Sequence, residues 1–135
     1  MELPKYFTLN EAKKLLPDLK PRIYKLMKLN KTLSLIQSVD IDSDDPILDI
    51  DLAVMDLNKN YFKKMYLFYK ELSEVTKLGA VVKDIDEGLV DFYSKYQGRE
   101  ILLCWKLGEK NIDHWHELNT GFNNRKHIKL LKKQN

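Results

Sequence analysis

The stretch from Val81 to Arg125, VVKDIDEGLVDFYSKYQGREILLCWKLGEKNIDHWHELNTGFNNR, decides the fold. Short runs of β-branched and aromatic residues alternate with glycine-bearing turns, the pattern of a β meander. Val81–Ile85 and Leu89–Tyr93 flank Asp86-Glu87-Gly88, which reads as a hairpin turn. Gln97-Gly98 marks a second turn before a strand over Glu100–Lys106, and Leu107-Gly108-Glu109 leads to a fourth strand around Ile112–Leu118. The third strand is apolar at every position from Ile101 to Trp105. A strand of that kind is usually central and covered on both faces. Helices are expected over one face. The other is expected under the C-terminal segment or a second copy of the chain, which favours a dimer.

Upstream of Gly79 the apolar period is helical. Thr8-Leu9-Asn10-Glu11 is a capping box, with Phe7 placed as its hydrophobic staple. The first helix is expected to stop near Leu16, because Pro17 disfavours helical dihedrals in the residue before it. Asp18 then caps a second helix with Pro21 in its first turn. Leu19, Ile23, Leu26, Leu29, Leu33 and Ile36 recur at steps of three and four, so this helix is expected to run to about Ser38. Val39–Asp45 reads as an acidic turn, and Asp45-Pro46 as the cap of a helix reaching Lys77. The apolar set of that helix is Leu48, Leu52, Met55, Phe62, Met65, Tyr66, Tyr69, Leu72 and Val75, widened by Tyr61 and Phe68. Its length implies a contact beyond its hairpin partner, with the β block or a second copy.

The predicted architecture is therefore α+β: a long N-terminal helical hairpin packed with a small C-terminal antiparallel β meander. It forms one domain, with helices over about residues 8–78, strands over about 80–120 and a basic tail over about 121–135. In 135 residues there is room for one core. No apolar run approaches the roughly 20 residues of a membrane span, and the N-terminus lacks the pattern of a signal peptide. With a single cysteine, Cys104, no intrachain disulfide can form, and the expected location is cytoplasmic.

Net charge is +3 but unevenly placed. Arg125, Lys126, Lys129, Lys132 and Lys133 make an acid-free tail, and Lys13, Lys14, Lys20, Arg22, Lys25 and Lys28 a basic helix flank. These support an alternative reading as an RNA- or ribosome-associated protein, since lysines neutralise phosphates without reading sequence. A further alternative is an oligomerising scaffold built on the helical hairpin. Asp40, Asp42, Asp44 and Asp51 do not make a calcium loop, because the sixth position is Asp45 rather than glycine and Pro46 follows.

Ionisable side chains on turns and strands of the β block are the candidate site. His116, Glu109 and Asp91 are the candidate catalytic residues: an imidazole to act as base, with carboxylates to orient it. Arg125, Glu117, Lys83 and Asp84 are the candidate ligand-binding residues, Arg125 being suited to an anionic group. His116, Glu109 and Arg125 are expected in one polar cluster, which serves either as a site or as a buried salt-bridge network. On a regular strand His116 and Glu117 face opposite ways, whereas His114 and His116 share a face. No metal site is assigned: His114-x-His116 lacks any Cys-x-x-Cys or His-Glu-x-x-His companion. No cofactor motif is present, and Cys104, beside Trp105, reads as core.

FTLNEAKKLLPDL from Phe7, Lys83-Asp84, GLVDF from Gly88, Gly98-Arg99, LCWKLGE from Leu103, WHE from Trp115 and GFNNR from Gly121 together resemble the domain-of-unknown-function family 2203. The likeness covers nearly the whole chain, and the order LCW-x-LGE, WHE, GF-x-x-R carries it. The resemblance implies a small prokaryotic cytosolic protein with a helical N-terminal half, and it implies no activity. It picks out His116 but not His114. Tyr93 stands where the family pattern has proline, and Asn124 where it has a second glycine; both departures touch turns more than chemistry.

Overall fold

The computed structural model describes residues 4–38 and 47–131, the side chains of 47–53 excepted. Two helices, α1 (Leu9–Gln37) and α2 (Ile47–Lys77), pack as an antiparallel hairpin. A five-stranded antiparallel sheet follows, ordered β1 (Val81–Asp84), β2 (Leu89–Tyr96), β3 (Arg99–Lys106), β4 (His114–Glu117) and β5 (Lys126–His127). The expected α+β class, with its helical hairpin and meander, is what the chain forms. The acidic turn, the Asp45-Pro46 cap, the side chains of Leu48 and Leu52, and Lys132 and Lys133 lie outside the described residues.

The capping box at Thr8 is complete: Thr8 Oγ1 accepts from the Glu11 amide at 3.2 Å, and Glu11 Oε1 accepts from the Thr8 amide at 3.0 Å. The break expected at Pro17 does not occur. Helix α1 runs through Pro17 and Pro21, and Asp18 bonds Arg22 one turn on instead of capping a new helix. Both prolines lie on the exposed side, where water can satisfy the carbonyls they leave without a donor. Meanwhile Ala12, Leu16, Leu19, Ile23, Leu26 and Leu33 stay in phase and buried along one stripe. A proline in a helix costs about 3 kcal/mol, while each buried Leu or Ile contributes about 1.5–3 kcal/mol. A break at residue 17 would take the stripe out of phase, so burial wins.

In α2 the buried face is narrower than the apolar pattern implied. Phe68 and Val75 are buried, with Tyr61, Met65 and Leu72 packed beside them, in steps of three and four. Met55, Phe62, Tyr66 and Tyr69 form a second stripe that is 60% or more exposed. The two helices are bridged at Glu71, which meets Arg22 at 3.1 Å and Lys25 at 3.5 Å.

Gly79, at φ +95°, ends α2 in a conformation that L side chains rarely adopt, and a Cβ there would lie 2.9 Å from Phe7. Phe7 in turn packs edge-on against Phe92, its amide donates to Tyr93, and its carbonyl accepts from Ser94. The segment before α1 is thereby tied to β2. Between β2 and β3, Gln97 and Gly98 both take positive φ, giving a two-residue hairpin turn.

Strand β3 divides the molecule. Ile101, Leu103 and Trp105 join Val90, Phe92 and Trp115 in one core cluster with the buried stripe of α1. Leu102 and Cys104 point the other way, yet both are buried. Leu118 and Phe122, from the chain that follows β4, come to that outer face. This removes the need for a second copy there. The segment expected as a basic tail supplies β5, which pairs with β4 through His114–His127 and Trp115–Lys126.

Leu26→Ala, in the α1 stripe, is expected to cost about 2–4 kcal/mol. Tyr69→Ala, on the exposed face of α2, is expected to cost under about 1 kcal/mol. Urea unfolding of the two variants tests the assignment of faces; equal losses would contradict it.

Candidate functional site

Alternation along three neighbouring strands builds the site. Asp91 on β2 lies opposite Cys104 on β3, and Leu102 on β3 lies opposite His116 on β4. Cross-strand partners share a face, so Asp91, Cys104 and His116 converge on the outer side of the sheet. All three are buried to within 3% exposure. His116 Nε2 lies 3.1 Å from Asp91 Oδ2, and its Nδ1 is 2.8 Å from the backbone carbonyl of Glu117. A carbonyl only accepts, so Nδ1 carries a hydrogen and the ring's orientation is fixed. One oxygen, one sulfur and one nitrogen from the three residues lie within 4.8 Å of one another.

The group is not sealed. It lines a pocket of about 160 Å³ whose other walls include Lys83, Leu89, Leu102, Leu118, Thr120, Gly121 and Phe122. The chain after β4 supplies the last four, and with them the outer wall.

Apart from Lys83, the remaining candidates occupy other places. Glu109 and Arg125 form a close pair, with Arg125 Nη1 donating to both carboxylate oxygens at 3.0 and 3.1 Å. Glu109 also accepts from the Lys106 amide at 2.7 Å, and its carbonyl accepts from Trp105 Nε1 at 2.9 Å. The Arg125 guanidinium lies 4.1 Å from the centroid of Phe122. Glu109 and Arg125 thus lock the β3–β4 connection to the segment that bears Phe122. No ion pair among the described residues joins them to His116, so the single cluster expected from the sequence is two clusters linked through Phe122.

Glu117 faces away from His116, as alternation requires, and takes two hydrogen bonds from Arg99 at 2.8 and 3.2 Å. Asp84 caps the first hairpin turn by accepting from the Glu87 amide at 3.1 Å. Lys83 alone of the four expected ligand-binding residues lines the pocket. His114 shares the outer face but stands apart, 3.7 Å from Glu109 and edge-on to His127.

Within this geometry a match to a family of known sequence pattern gains meaning. A family model described as "Uncharacterized conserved protein (DUF2203)" matches residues 5–128. The chain belongs to this family. Comparison with curated proteins finds no match, and comparison with solved structures finds none. The family segment therefore covers the hairpin, the sheet and every wall of the pocket, but brings no activity with it.

Among the lining residues that were not sequence candidates are Cys104, Thr120 and Phe122. Cys104 was read as core because Trp105 is its neighbour. The signal that finds it is parity, since Leu102 and Cys104 must face away from Ile101, Leu103 and Trp105.

The Asp91 hydrogen bond, then contact with Cys104, pushes the His116 pKa up to about 10 from its ordinary 6.5, against the effect of burial. A raised folded-state pKa means stabilisation that is fully present below about 6.5 and is lost as pH rises through about 10. In chelator-containing buffer, the His116 ring resonances are expected to stay in the protonated position through neutral pH. Asp91→Asn is expected to bring the titration down towards 6.5. A wild-type midpoint already at 6.5 would contradict the pairing.

Proposed function

We propose that this protein binds a small acidic molecule in the outer-face pocket, with Asp91 and His116 as its proton-handling groups and Lys83 as its anion anchor. The observation that carries the reading is that a buried Asp–His pair lines a cavity of about 160 Å³. Polar groups converging in a concave pocket are the usual mark of a ligand site.

Size limits the ligand. At about 30 Å³ per water, 160 Å³ holds roughly five waters, or a molecule of a few heavy atoms. Sites for drug-sized ligands run from about 300 Å³ upwards. A small carboxylate or another oxyanion fits the volume, and Lys83 supplies its charge complement. Asp91 and His116, already hydrogen-bonded, can pass a proton to or from such a molecule. Glu109 and Arg125 act on the frame, by holding the Phe122 wall. Of the cations expected to form a nucleic-acid-binding flank, Arg22 and Lys25 are engaged with Glu71. The pocket is the better supported seat of function.

Titration with acetate, bicarbonate and inorganic phosphate, followed by amide chemical shifts, tests this. At least one oxyanion is expected to shift the amides of Lys83, Thr120 and Phe122 saturably, and Lys83→Met is expected to weaken that binding tenfold or more. Shifts confined to surface lysines outside the pocket, or unchanged binding in Lys83→Met, would overturn it.

A further inference from the structure

The hydrogen-bonding roles at His116 leave a specific requirement. Its Nδ1 must donate to the Glu117 carbonyl, so in a neutral ring Nε2 presents a lone pair. That lone pair faces a carboxylate oxygen, Asp91 Oδ2, at 3.1 Å. Two electron-rich atoms are stable in that arrangement only with a cation between them. A proton satisfies the nitrogen and the oxygen, and the sulfur of Cys104, a third donor, lies within 4.8 Å of both ligand atoms.

We infer that Asp91, Cys104 and His116 form a three-ligand site for a divalent transition-metal ion of the zinc type, its fourth position open to the pocket. This deepens the reading of the pocket as a small-acid site and rests on it: with the ion bound, Asp91 and His116 serve as its ligands in place of sharing a proton, and the ion adds a second positive charge to Lys83 in the pocket lining.

The donor set fits that class of ion. Thiolate, imidazole and carboxylate together suit zinc and its neighbours, whereas magnesium and calcium take oxygen ligands. Three protein ligands plus one exchangeable position is the arrangement of zinc sites that act on bound molecules, while structural sites use four protein ligands. Tetrahedral bonds of about 2.0–2.3 Å place a nitrogen and an oxygen roughly 3.3 Å apart, and a nitrogen and a sulfur roughly 3.6 Å apart. The nitrogen–oxygen separation is already 3.1 Å, and no pair of the three ligand atoms exceeds 4.8 Å. Closing around an ion therefore requires movement of little more than about 1 Å. The outer hydrogen bond is also in place, because a ligating histidine characteristically donates its other ring N–H to a carbonyl or carboxylate.

The pocket supplies what a lone triad would lack. The triad lines it together with Phe122 and Thr120, and its volume of about 160 Å³ leaves room for a metal-bound water or one oxygen of a small anion. Backbone pairing on β2, β3 and β4 holds all three ligands on rigid strands.

The test is titration of the full chain, after chelator treatment, with cobalt(II), whose spectrum reports ligand type and geometry. Because Cys104 is the sole cysteine, any cobalt–thiolate charge-transfer band at one ion per chain must come from it. Expected are saturation at one cobalt per chain, intense tetrahedral visible bands, the thiolate band, and paramagnetic shifts of the His116 ring. Cys104→Ser should remove the thiolate band, and His116→Gln should weaken binding tenfold or more, both with circular dichroism unchanged. A weak octahedral spectrum, a missing thiolate band in the wild type, or unaltered binding in His116→Gln would each overturn the site. Phosphate-induced shifts at Lys83 and Thr120, measured with chelator, keep the two readings apart. Their presence without cobalt binding defeats the metal and leaves the acid pocket standing. Tetrahedral cobalt binding without any anion response supports the metal and defeats the acid pocket.

Discussion

Everything in the sheet follows from β3 being buried on both faces. Its odd-numbered side chains, Ile101, Leu103 and Trp105, complete the core shared with α1. Leu102 and Cys104 face outward and are nevertheless only 2–3% exposed. An apolar outer face on a small sheet must be covered, and this chain does so with the segment between β4 and β5. That covering is what turns a polar pair on a sheet surface into a pair at the floor of a pocket. Burial of the outer face and formation of the site are one event.

The covering segment is held by a second set of interactions with no direct part in the pocket. Glu109 gathers the Lys106 amide and Arg125, and Arg125 lies over Phe122. Glu117, on the core side of β4, is pinned by Arg99 and approached by Lys126 at 3.8 Å. Each contact is partly solvated and individually worth little. Of these, the Glu109–Arg125 pair is the one that reaches Phe122, a wall of the pocket. A charge change at Glu109 therefore acts on the pocket through the position of Phe122.

Much of this was legible in the chain. The turn residues located the strands, because positive φ at Gln97-Gly98 and a left-handed glycine at residue 79 are needs that few other residues meet. The capping box at Thr8 is a local device, and local devices read directly. The prolines misled, because an in-phase buried stripe outweighs two missing hydrogen bonds on a wet face. The face of α2 misled because aromatic residues occupy two stripes, and only packing distinguishes Phe68 from its neighbour Tyr69. At the site, His116 and Asp91 were visible as candidates, but which of the two carboxylates, Asp91 or Glu109, pairs with the ring was not. It depends on the registers of two hairpins, and placement at strand ends and turns, with the family resemblance, favoured Glu109 and Arg125 as partners. Cys104 was hidden by Trp105, one residue away and on the opposite face.

The central claim is that Asp91 and His116 are kept as a pair for what the pocket does, not to hold the fold together. Buried ion pairs generally add little net stability, since desolvation offsets attraction. Denaturant unfolding of Asp91→Val, His116→Leu and the double variant addresses this most directly. Each single change should cost about 1–3 kcal/mol by stranding its partner. The double variant should return to within about 1 kcal/mol of wild type, as apolar replacements of buried pairs commonly do. A double variant destabilised by more than about 3 kcal/mol would make the pair a structural strut and contradict the account.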